Sequence, residues 1–292
     1  MNGESRGITV AIASGKGGTG KTTVAVNLAA ILAEQAEQVQ YLDCDVEEPN
    51  GHIFLKPEIE RTEDVGIPVP VVDKTKCTGC GQCADACEYN AMVILKTALV
   101  FPELCHGCGG CWLVCPAGAI QEQPRTIGVV ETGRAGKIGF GQGRLNVGEP
   151  MSPALIRAVK RVRATGGTAI LDAPPGTSCP VVATVRDADY VVLVTEPTPF
   201  GLNDLRLAVQ LMREVQRAFG VAINRADIGN DAVRKYCDAE RIPVLAEIPE
   251  DRKVAEAYSR GDMATGAAPA FRAALSQLAA RITSELPRKV SV

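Results

Sequence analysis

The chain has 292 residues, of which 46% are hydrophobic and 22% are charged, and its formal net charge is −3. This composition is typical of a globular protein, and the negative charge argues against a nucleic-acid partner. No stretch approaches about 18 consecutive apolar residues and the N-terminus lacks a secretory pattern, so neither a membrane-spanning helix nor export is expected. In the cytoplasmic protein that this predicts, the abundance of cysteine, eleven residues in all, indicates metal ligands rather than disulfides.

Short β-branched runs alternate with amphipathic helical patterns along most of the chain. Strands are predicted at Thr9–Ala13, Val39–Leu42, Ala169–Leu171, Tyr190–Val194, Val221–Ile223 and Val244–Ile248. Helices are predicted at Thr22–Glu37, Pro153–Ala164, Leu202–Ala218, Asp231–Glu240 and Ala270–Glu285. This alternation predicts an α/β fold with a doubly wound, mostly parallel sheet.

A glycine-rich loop follows the first predicted strand and opens a helix. It consists of Gly15, Lys16, Gly17, Gly18, Thr19, Gly20, Lys21, Thr22 and Thr23. Glycines in this strand–loop–helix context let backbone N–H groups cradle phosphate oxygens. Lys21 is expected against the β- and γ-phosphates, and the Thr22 hydroxyl is expected on Mg²⁺. The loop therefore predicts a site for ATP and Mg²⁺.

The additional lysine Lys16 distinguishes this loop from an ordinary P-loop. With it, the sequence resembles the deviant-Walker ATPases, the family of MinD, ParA, the nitrogenase iron protein and the Mrp-type iron–sulfur carriers. The resemblance implies hydrolysis of ATP to ADP and phosphate by an ATP-dependent homodimer. It also implies that Lys16 reaches the phosphates of the partner subunit, the alternative being a solvated loop lysine.

Three further stretches resemble the same family in the expected order. Asp43–Asp45 follows the second strand like switch I, which implies that Asp45 orients or deprotonates the attacking water. Asp172–Thr177 is similar to the Walker B and switch II segment, which implies that Asp172 supports Mg²⁺ through a water and that Gly176 lies near the γ-phosphate. Residues at the family's adenine-recognising positions are Asn224, Arg225, Pro249, Glu250 and Asp251. Simple strand-end turns are the alternative for this last group.

The alternation of strands and helices breaks between residues 61 and 125, where eight cysteines fall within 39 residues. They form two runs 28 positions apart, Cys77, Cys80, Cys83 and Cys87, then Cys105, Cys108, Cys111 and Cys115. Such a repeat indicates a duplicated half-module. The predicted organisation is a discontinuous P-loop ATPase domain, 1–60 and 126–292, with an inserted ferredoxin-like domain, 61–125.

Both cysteine runs have the spacing of bacterial ferredoxins, in which the fourth cysteine of each run ligates the other cluster. One [4Fe–4S] cluster is therefore predicted on Cys77, Cys80, Cys83 and Cys115, and a second on Cys87, Cys105, Cys108 and Cys111. Zinc is the competing metal for such pairs. His106 lies within the second run and is expected beside the cluster or in solvent rather than as a ligand.

Three features are left over from these motifs. Cys44, Cys179 and Cys237 are predicted to be small buried or surface thiols, and a metal or cluster shared between two Cys179 residues is the alternative. The glycine-rich segment 133–148 is predicted to be a loop, either a mobile lid or partner-binding segment or a simple surface connection. The last helix carries Phe271, Leu275, Leu278 and Ile282 on one face, which favours docking on its own sheet over membrane binding.

Two functions fit these patterns. In the first, ATP-driven dimer closure gates electron transfer through two clusters to a partner metalloprotein. In the second, the protein assembles or inserts an iron–sulfur cluster or metal cofactor. Ligation by interlocked cysteine runs favours electron transfer, because such clusters do not dissociate easily.

Overall fold

The computed structural model describes residues 7–35 and 38–285. Its eleven described strands are β1 (Ile8–Ala13), β2 (Val39–Asp43), β3 (Glu58–Val72), β4 (Met92–Ile94), β5 (Ala98–Val100), β6 (Ile120–Ala135), β7 (Ile138–Leu145), β8 (Thr168–Asp172), β9 (Tyr190–Thr195), β10 (Phe219–Asn224) and β11 (Val244–Ile248). Nine of them form one sheet in the order β11-β10-β9-β1-β8-β2-β7-β6-β3, while β4 and β5 pair separately.

Seven strands of the large sheet, from β11 to β7, are parallel, and β6 and β3 add an antiparallel edge. The strand order places β1 between β8 and β9, and β2 on the far side of β8. The prediction of a mostly parallel α/β sheet is confirmed. Because the ends of parallel strands meet at one edge, the segments after β1, β2 and β8 converge there.

The described helices are α1 (Lys21–Glu34), α2 (Gly51–Leu55), α3 (Gln82–Asp85), α4 (Gly110–Leu113), α5 (Ser152–Arg161), α6 (Cys179–Val185), α7 (Pro199–Glu214), α8 (Ala232–Ala239), α9 (Arg252–Ser259) and α10 (Pro269–Glu285). The predicted end of the first helix, at Glu37, lies outside the described residues. Helix α7 begins before its predicted start at Leu202 because Thr198 caps it, its hydroxyl accepting the Gly201 N–H at 3.0 Å.

Helices cover both faces of the sheet. On one face α1 and α10 enclose the side chains of β1 and β11, and on the other α5 to α8 pack over the opposite side. The apolar face of α10 lies in this core, because Leu275 and Leu278 are fully buried and Phe271 is 2% exposed. Docking on the protein's own sheet is confirmed for this helix. None of the described helices is long and apolar enough to cross a membrane.

The prediction of a loop over the glycine-rich segment is wrong. Residues 133–145 belong to an antiparallel hairpin of β6 and β7 that extends the main sheet. A Cβ on Gly133 would collide with the carbonyl oxygen of Glu58, and one on Gly143 would lie 2.6 Å from Val46. These glycines therefore permit close strand and helix packing rather than mobility.

Strands β3 and β6 pair over their whole length and run past the edge of the parallel sheet. Gly128 opposes Leu145, the last residue of β7, so the earlier part of β6 and the later part of β3 extend beyond the edge where the parallel strands end. The predicted domain boundaries at 60/61 and 125/126 fall inside these two strands. The ribbon carries the cysteine segment, 73–119, at the same edge of the sheet as the glycine-rich loop.

Candidate functional site

The loop between β1 and α1 has a backbone that only glycine adopts readily. Gly18 and Gly20 have φ values of 81° and 88°. The Asn224 amide donates to the Thr19 carbonyl at 2.8 Å and lies where a Cβ on Gly20 would be. A Cβ on Gly15 would collide with the backbone of α7. The loop is thus held from two sides, by the end of β10 and by α7.

Lys21 is the first residue of α1 and its side chain is only 7% exposed. Its ammonium donates to Asp172 Oδ1 at 2.6 Å, and the Tyr41 hydroxyl donates to the other carboxylate oxygen at 2.9 Å. Burial acts to lower the pKa of Lys21, but Asp172, with smaller contributions from Asp45 and Asp43, raises it above its ordinary value. The lysine is therefore charged and already aimed at anionic oxygens.

Asp43 is a site residue to which the sequence pattern assigned no role. It lies opposite Asp172 in the β2–β8 register, is fully buried, and accepts backbone N–H groups of Asp45 and Asn50 at 3.1 Å and of Gly51 at 2.9 Å. Burial and the charge of Asp172 raise the pKa of Asp43 to about 7. Asp43 thereby fixes the loop that carries Asp45.

Asp45 faces the cleft rather than the core. Burial, opposed by the charge of Lys21, raises the pKa of Asp45 to about 6, with Asp172 and Glu47 adding to the increase. A carboxyl group poised near neutral pH in a cleft is suited to holding or deprotonating a water. Glu48, in the same loop, also lines the cleft and was not singled out from the sequence.

One cleft of about 440 Å³ brings most of the predicted nucleotide residues together, a volume suited to a small molecule. Its predicted lining residues are Lys16, Gly17, Gly18, Gly20, Lys21, Thr22, Thr23, Asp45, Asn224, Arg225, Pro249, Glu250 and Asp251. Gly15, Thr19, Asp172 and Gly176 do not line it. Gly176 instead donates its N–H to the Ser14 carbonyl at 3.0 Å, which joins the segment after β8 to the start of the loop.

The far end of the cleft is built around Arg225. This residue has a left-handed backbone with φ of 53°, and its guanidinium contacts Glu196 at 2.9 Å and Glu250 at 3.0 Å. Glu196 follows β9 and its side chain is 11% exposed. No local sequence pattern points to Glu196, because its partner Arg225 is 29 residues away in another strand–helix unit.

The eight clustered cysteines line two separate cavities, each with four cysteines. One is lined by Cys77, Cys80, Cys83 and Cys115, and the other by Cys87, Cys105, Cys108 and Cys111. In each, three cysteines come from one run and the fourth from the other. Within the described residues, no three His, Cys, Asp or Glu side chains converge on a position for a single metal ion.

The two cysteine runs have matching local geometry at a spacing of 28 residues. Gly79 and Gly107 have φ values of 69° and 66°, and the short helices α3 and α4 begin at equivalent positions. The N–H of Ala91 donates to Cys87 Sγ at 3.3 Å, and the equivalent N–H of Ala119 donates to Cys115 Sγ at 3.4 Å. Such donors favour thiolate sulfur, the form that binds metal.

The other thiols do not join these cavities. Cys44 and Cys237 are fully buried, and burial raises the pKa of Cys237 to about 11. Cys179 is exposed at the start of α6. His106 lines the second cavity and stacks on Tyr89 with ring centroids 3.6 Å apart.

Comparison with known proteins places this geometry in a family. An iron–sulfur cluster carrier protein of Pyrococcus horikoshii is 25% identical over 277 residues, covering 86% of this chain and 77% of that protein. An uncharacterised protein of Methanocaldococcus jannaschii is 31% identical over 225 residues, covering 76% of this chain and 79% of that protein.

Solved structures show the same fold. The septum site-determining protein MinD of Pyrococcus horikoshii, solved with Mg-ADP, superimposes with a TM-score of 0.58 at 20% identity, covering 98% of this chain and 99% of that one. The family model described as the CobQ/CobB/MinD/ParA nucleotide binding domain matches residues 10–264. The chain therefore belongs to the CobQ/CobB/MinD/ParA nucleotide-binding family.

Proposed function

We propose that this protein is an ATP-hydrolysing iron–sulfur protein. Closure of a nucleotide-bound homodimer is coupled to electron transfer through two [4Fe–4S] clusters toward a partner metalloprotein. The observation that carries this proposal is the position of both sites: two four-cysteine cavities stand on a ribbon at the sheet edge that carries the nucleotide cleft.

The residues of the cleft suit ATP and Mg²⁺. Backbone N–H groups of the glycine loop hold phosphate oxygens, and Lys21 moves from Asp172 to the β- and γ-phosphates. Asp172, once released, would support Mg²⁺ through a water and the Thr22 hydroxyl would hold the ion, which would neutralise phosphate charge when bound. Asp45 holds the attacking water in line with the γ-phosphate.

The adenine end follows from the family resemblance and the lining of the cleft. Asn224 and Arg225 at the end of β10, together with Pro249 and Asp251 after β11, border the space beyond the phosphates. Arg225 is held between two carboxylates, so its position does not depend on the nucleotide. These residues read the base, and Gly176 lies near the γ-phosphate.

The cysteine cavities suit a cluster better than a single ion. Four sulfur ligands line each cavity without converging on one point, and the pairing of each run's fourth cysteine with the other run is that of two-cluster ferredoxins. Bound [4Fe–4S] clusters would supply one-electron carriers. The chain supplies eight cysteine sulfurs and backbone N–H donors to four of them, Cys77, Cys87, Cys105 and Cys115.

Lys16 is assigned to the dimer. It lines the cleft, and among the residues that the structure describes its ammonium has no ion-pair partner. A cation left unpaired at the mouth of a phosphate site is available to the nucleotide of a second subunit. Nucleotide then favours the closed dimer because it binds that state more tightly.

A second candidate function is cluster or cofactor assembly and insertion. It is favoured by one observation, the similarity to proteins named iron–sulfur cluster carrier at about 25% identity. The two functions differ in whether the clusters remain bound to this protein during turnover. Retention of iron during turnover with an apo-acceptor protein supports electron transfer, and ATP-dependent loss of iron to that acceptor supports the carrier function.

The deciding experiment is anaerobic purification followed by iron and sulfide analysis and electron paramagnetic resonance. We expect about eight iron and eight sulfide per chain and two interacting signals after reduction. Tetrahedral zinc sites without iron would contradict the proposal.

The dimer has its own test in sedimentation velocity. With Mg·ATP, the Asp45→Ala protein is expected to form a dimer, and adding Lys16→Ala should remove the dimer while ATP binding is retained. An unchanged mass in both proteins with and without nucleotide would contradict nucleotide-driven closure.

A further inference from the structure

The two cysteine cavities differ in their distance from the nucleotide-binding body. Cys105 belongs to the same buried core as Ile127 and Leu155 of the body, whereas Cys83 belongs to a separate small core within the cysteine segment. The turn after Cys105 packs on the ribbon, because a Cβ on Gly107 would lie 3.3 Å from that of Ile67. The second cavity is therefore the one adjoining the body.

Arg125 lies at this junction. It is the cross-strand partner of Ile67 in the β3–β6 ribbon, so both side chains share one face of the ribbon. Its two terminal nitrogens both donate to the carboxylate of Glu149, one of them at 3.2 Å. The Arg125 Nε is buried and has no acceptor among the described residues. The guanidinium is thus anchored by Glu149 at the junction, near the turn that follows Cys105, without itself lining the second cavity.

The ion pair is largely shielded from water. The Glu149 side chain is 5% exposed and that of Arg125 is 21% exposed. The hydrogen bonds and charge of Glu149, with further contributions from Cys105 and Glu103, hold the pKa of Arg125 above its ordinary value. The guanidinium is therefore a cation held in place by a partly buried ion pair at the junction with the second cavity, where solvent screening is weaker than for a fully exposed charge.

We infer that Arg125 tunes the reduction potential of the second cluster, the one on Cys87, Cys105, Cys108 and Cys111, and that Glu149 partly offsets its charge. The inference rests on the proposed function. Reduction adds one electron, supplied by an external one-electron donor, and makes the site more negative. A neighbouring cation stabilises that state and raises the potential, and a neighbouring carboxylate has the opposite effect.

Glu149 also connects this pair to the nucleotide site. Its Oε1 accepts the Met151 N–H at 3.2 Å at the start of α5. Near the other end of α5, Lys160 donates to the carbonyls of Ala183 at 2.6 Å and Thr184 at 2.9 Å in α6, the helix that follows the Asp172–Thr177 segment. A shift of that segment on nucleotide binding therefore has a packed route to the carboxylate beside Arg125.

The test is a redox titration of the anaerobic holoprotein followed by electron paramagnetic resonance. The second cluster is identified as the signal lost in Cys108→Ser. Arg125→Gln should lower its midpoint potential, Glu149→Gln should raise it, and Arg125→Lys should leave it near the parental value. The first cluster should be unaffected, and Arg144→Gln, which breaks the Glu131 pair farther along the same ribbon, should move neither signal.

Opposite shifts separate tuning from structural damage, because damage at the junction shifts both variants in one direction. Shifts of the same sign, or no shift in proteins that keep their iron, would overturn the inference and leave the proposed function standing. If Arg125→Gln loses the cluster, the midpoint potentials of Glu149→Gln and Arg125→Lys decide the question. A raised potential in the first and a parental one in the second support the inference. An iron-free parent protein would overturn both.

Discussion

The nucleotide cleft and the cysteine segment are held together by different means. In the cleft, charged groups already satisfy one another: Lys21 pairs with Asp172, and Asp43 accepts three backbone N–H groups. In the cysteine segment, the core outside the junction is a small cluster of the buried residues Cys83, Met92 and Ala98. We therefore expect the first region to fold before its ligand binds, and we expect the second, with its smaller core, to depend on its ligand.

The largest effect is expected in the cleft at Lys21. Lys21→Ala should abolish nucleotide binding, because it removes the phosphate ligand and leaves Asp172 buried beside Asp43 without a cation. Asp45→Ala should retain binding and lose hydrolysis, since Asp45 contacts the water rather than the phosphates. Equilibrium binding of a fluorescent ATP analogue and phosphate release measure the two properties. Hydrolysis by Lys21→Ala at the parental rate would show that the loop is not the nucleotide site.

Iron removal should separate the two regions. After chelation under reducing conditions, we expect proteases to cut within 73–119 while the body stays folded and binds nucleotide. Limited proteolysis with mass spectrometry locates the cleavage sites, and a nucleotide-binding assay tests the body. Both are compared with the untreated holoprotein. Equal protection of the segment with and without iron would mean that its fold does not depend on metal.

Replacing single cysteines tests which cluster each cysteine binds. Cys115→Ser should lose the cluster of the first cavity and Cys87→Ser that of the second, each about half of the iron, because each fourth ligand crosses to the other run. Cys237→Ser is the matched control, a buried cysteine that lines neither cavity. Loss of the second-cavity signal in Cys115→Ser would show that each run ligates its own cluster.

The grouping of the cysteines around two cavities and the glycine-rich loop could be predicted from the sequence. Both depend on residues that lie close together in the chain at a characteristic spacing. The β3–β6 ribbon was not predicted, because prolines such as Pro68 and Pro70 are uncommon within strands. The structure places them on the outermost strand of the sheet, where a missing N–H is tolerated. Asp43 and Arg125 act through partners that only the sheet register or tertiary packing supplies, Asp172 and Glu149, and no spacing rule brings such pairs together.

The smallest expected effect concerns stability: it tests whether ionisation of the buried carboxylates destabilises the nucleotide-free protein. Burial and Asp172 raise the folded-state pKa of Asp43 to about 7, above the ordinary value of 3.8. Between these values the folded protein binds more protons than the unfolded chain, so the free energy of unfolding falls as the pH rises through this window. Asp43 should account for a loss on the order of a few kcal/mol, nearly complete by pH 8.

Urea unfolding of the nucleotide-free protein at pH 5 and pH 8 measures this loss. Asp43→Asn should remove the larger part of the pH dependence, because an amide does not titrate, and Asp45, whose pKa is raised to about 6, should account for part of the remainder. Glu214→Gln on the exposed surface of α7 should leave the pH dependence unchanged. Mg²⁺ with nucleotide should reduce the loss in the parent protein, since the cation compensates the buried carboxylates. A parent protein equally stable at both pH values would show that Asp43 is ionised without cost, and that the cleft, unlike the cysteine segment, is fully balanced without its ligand.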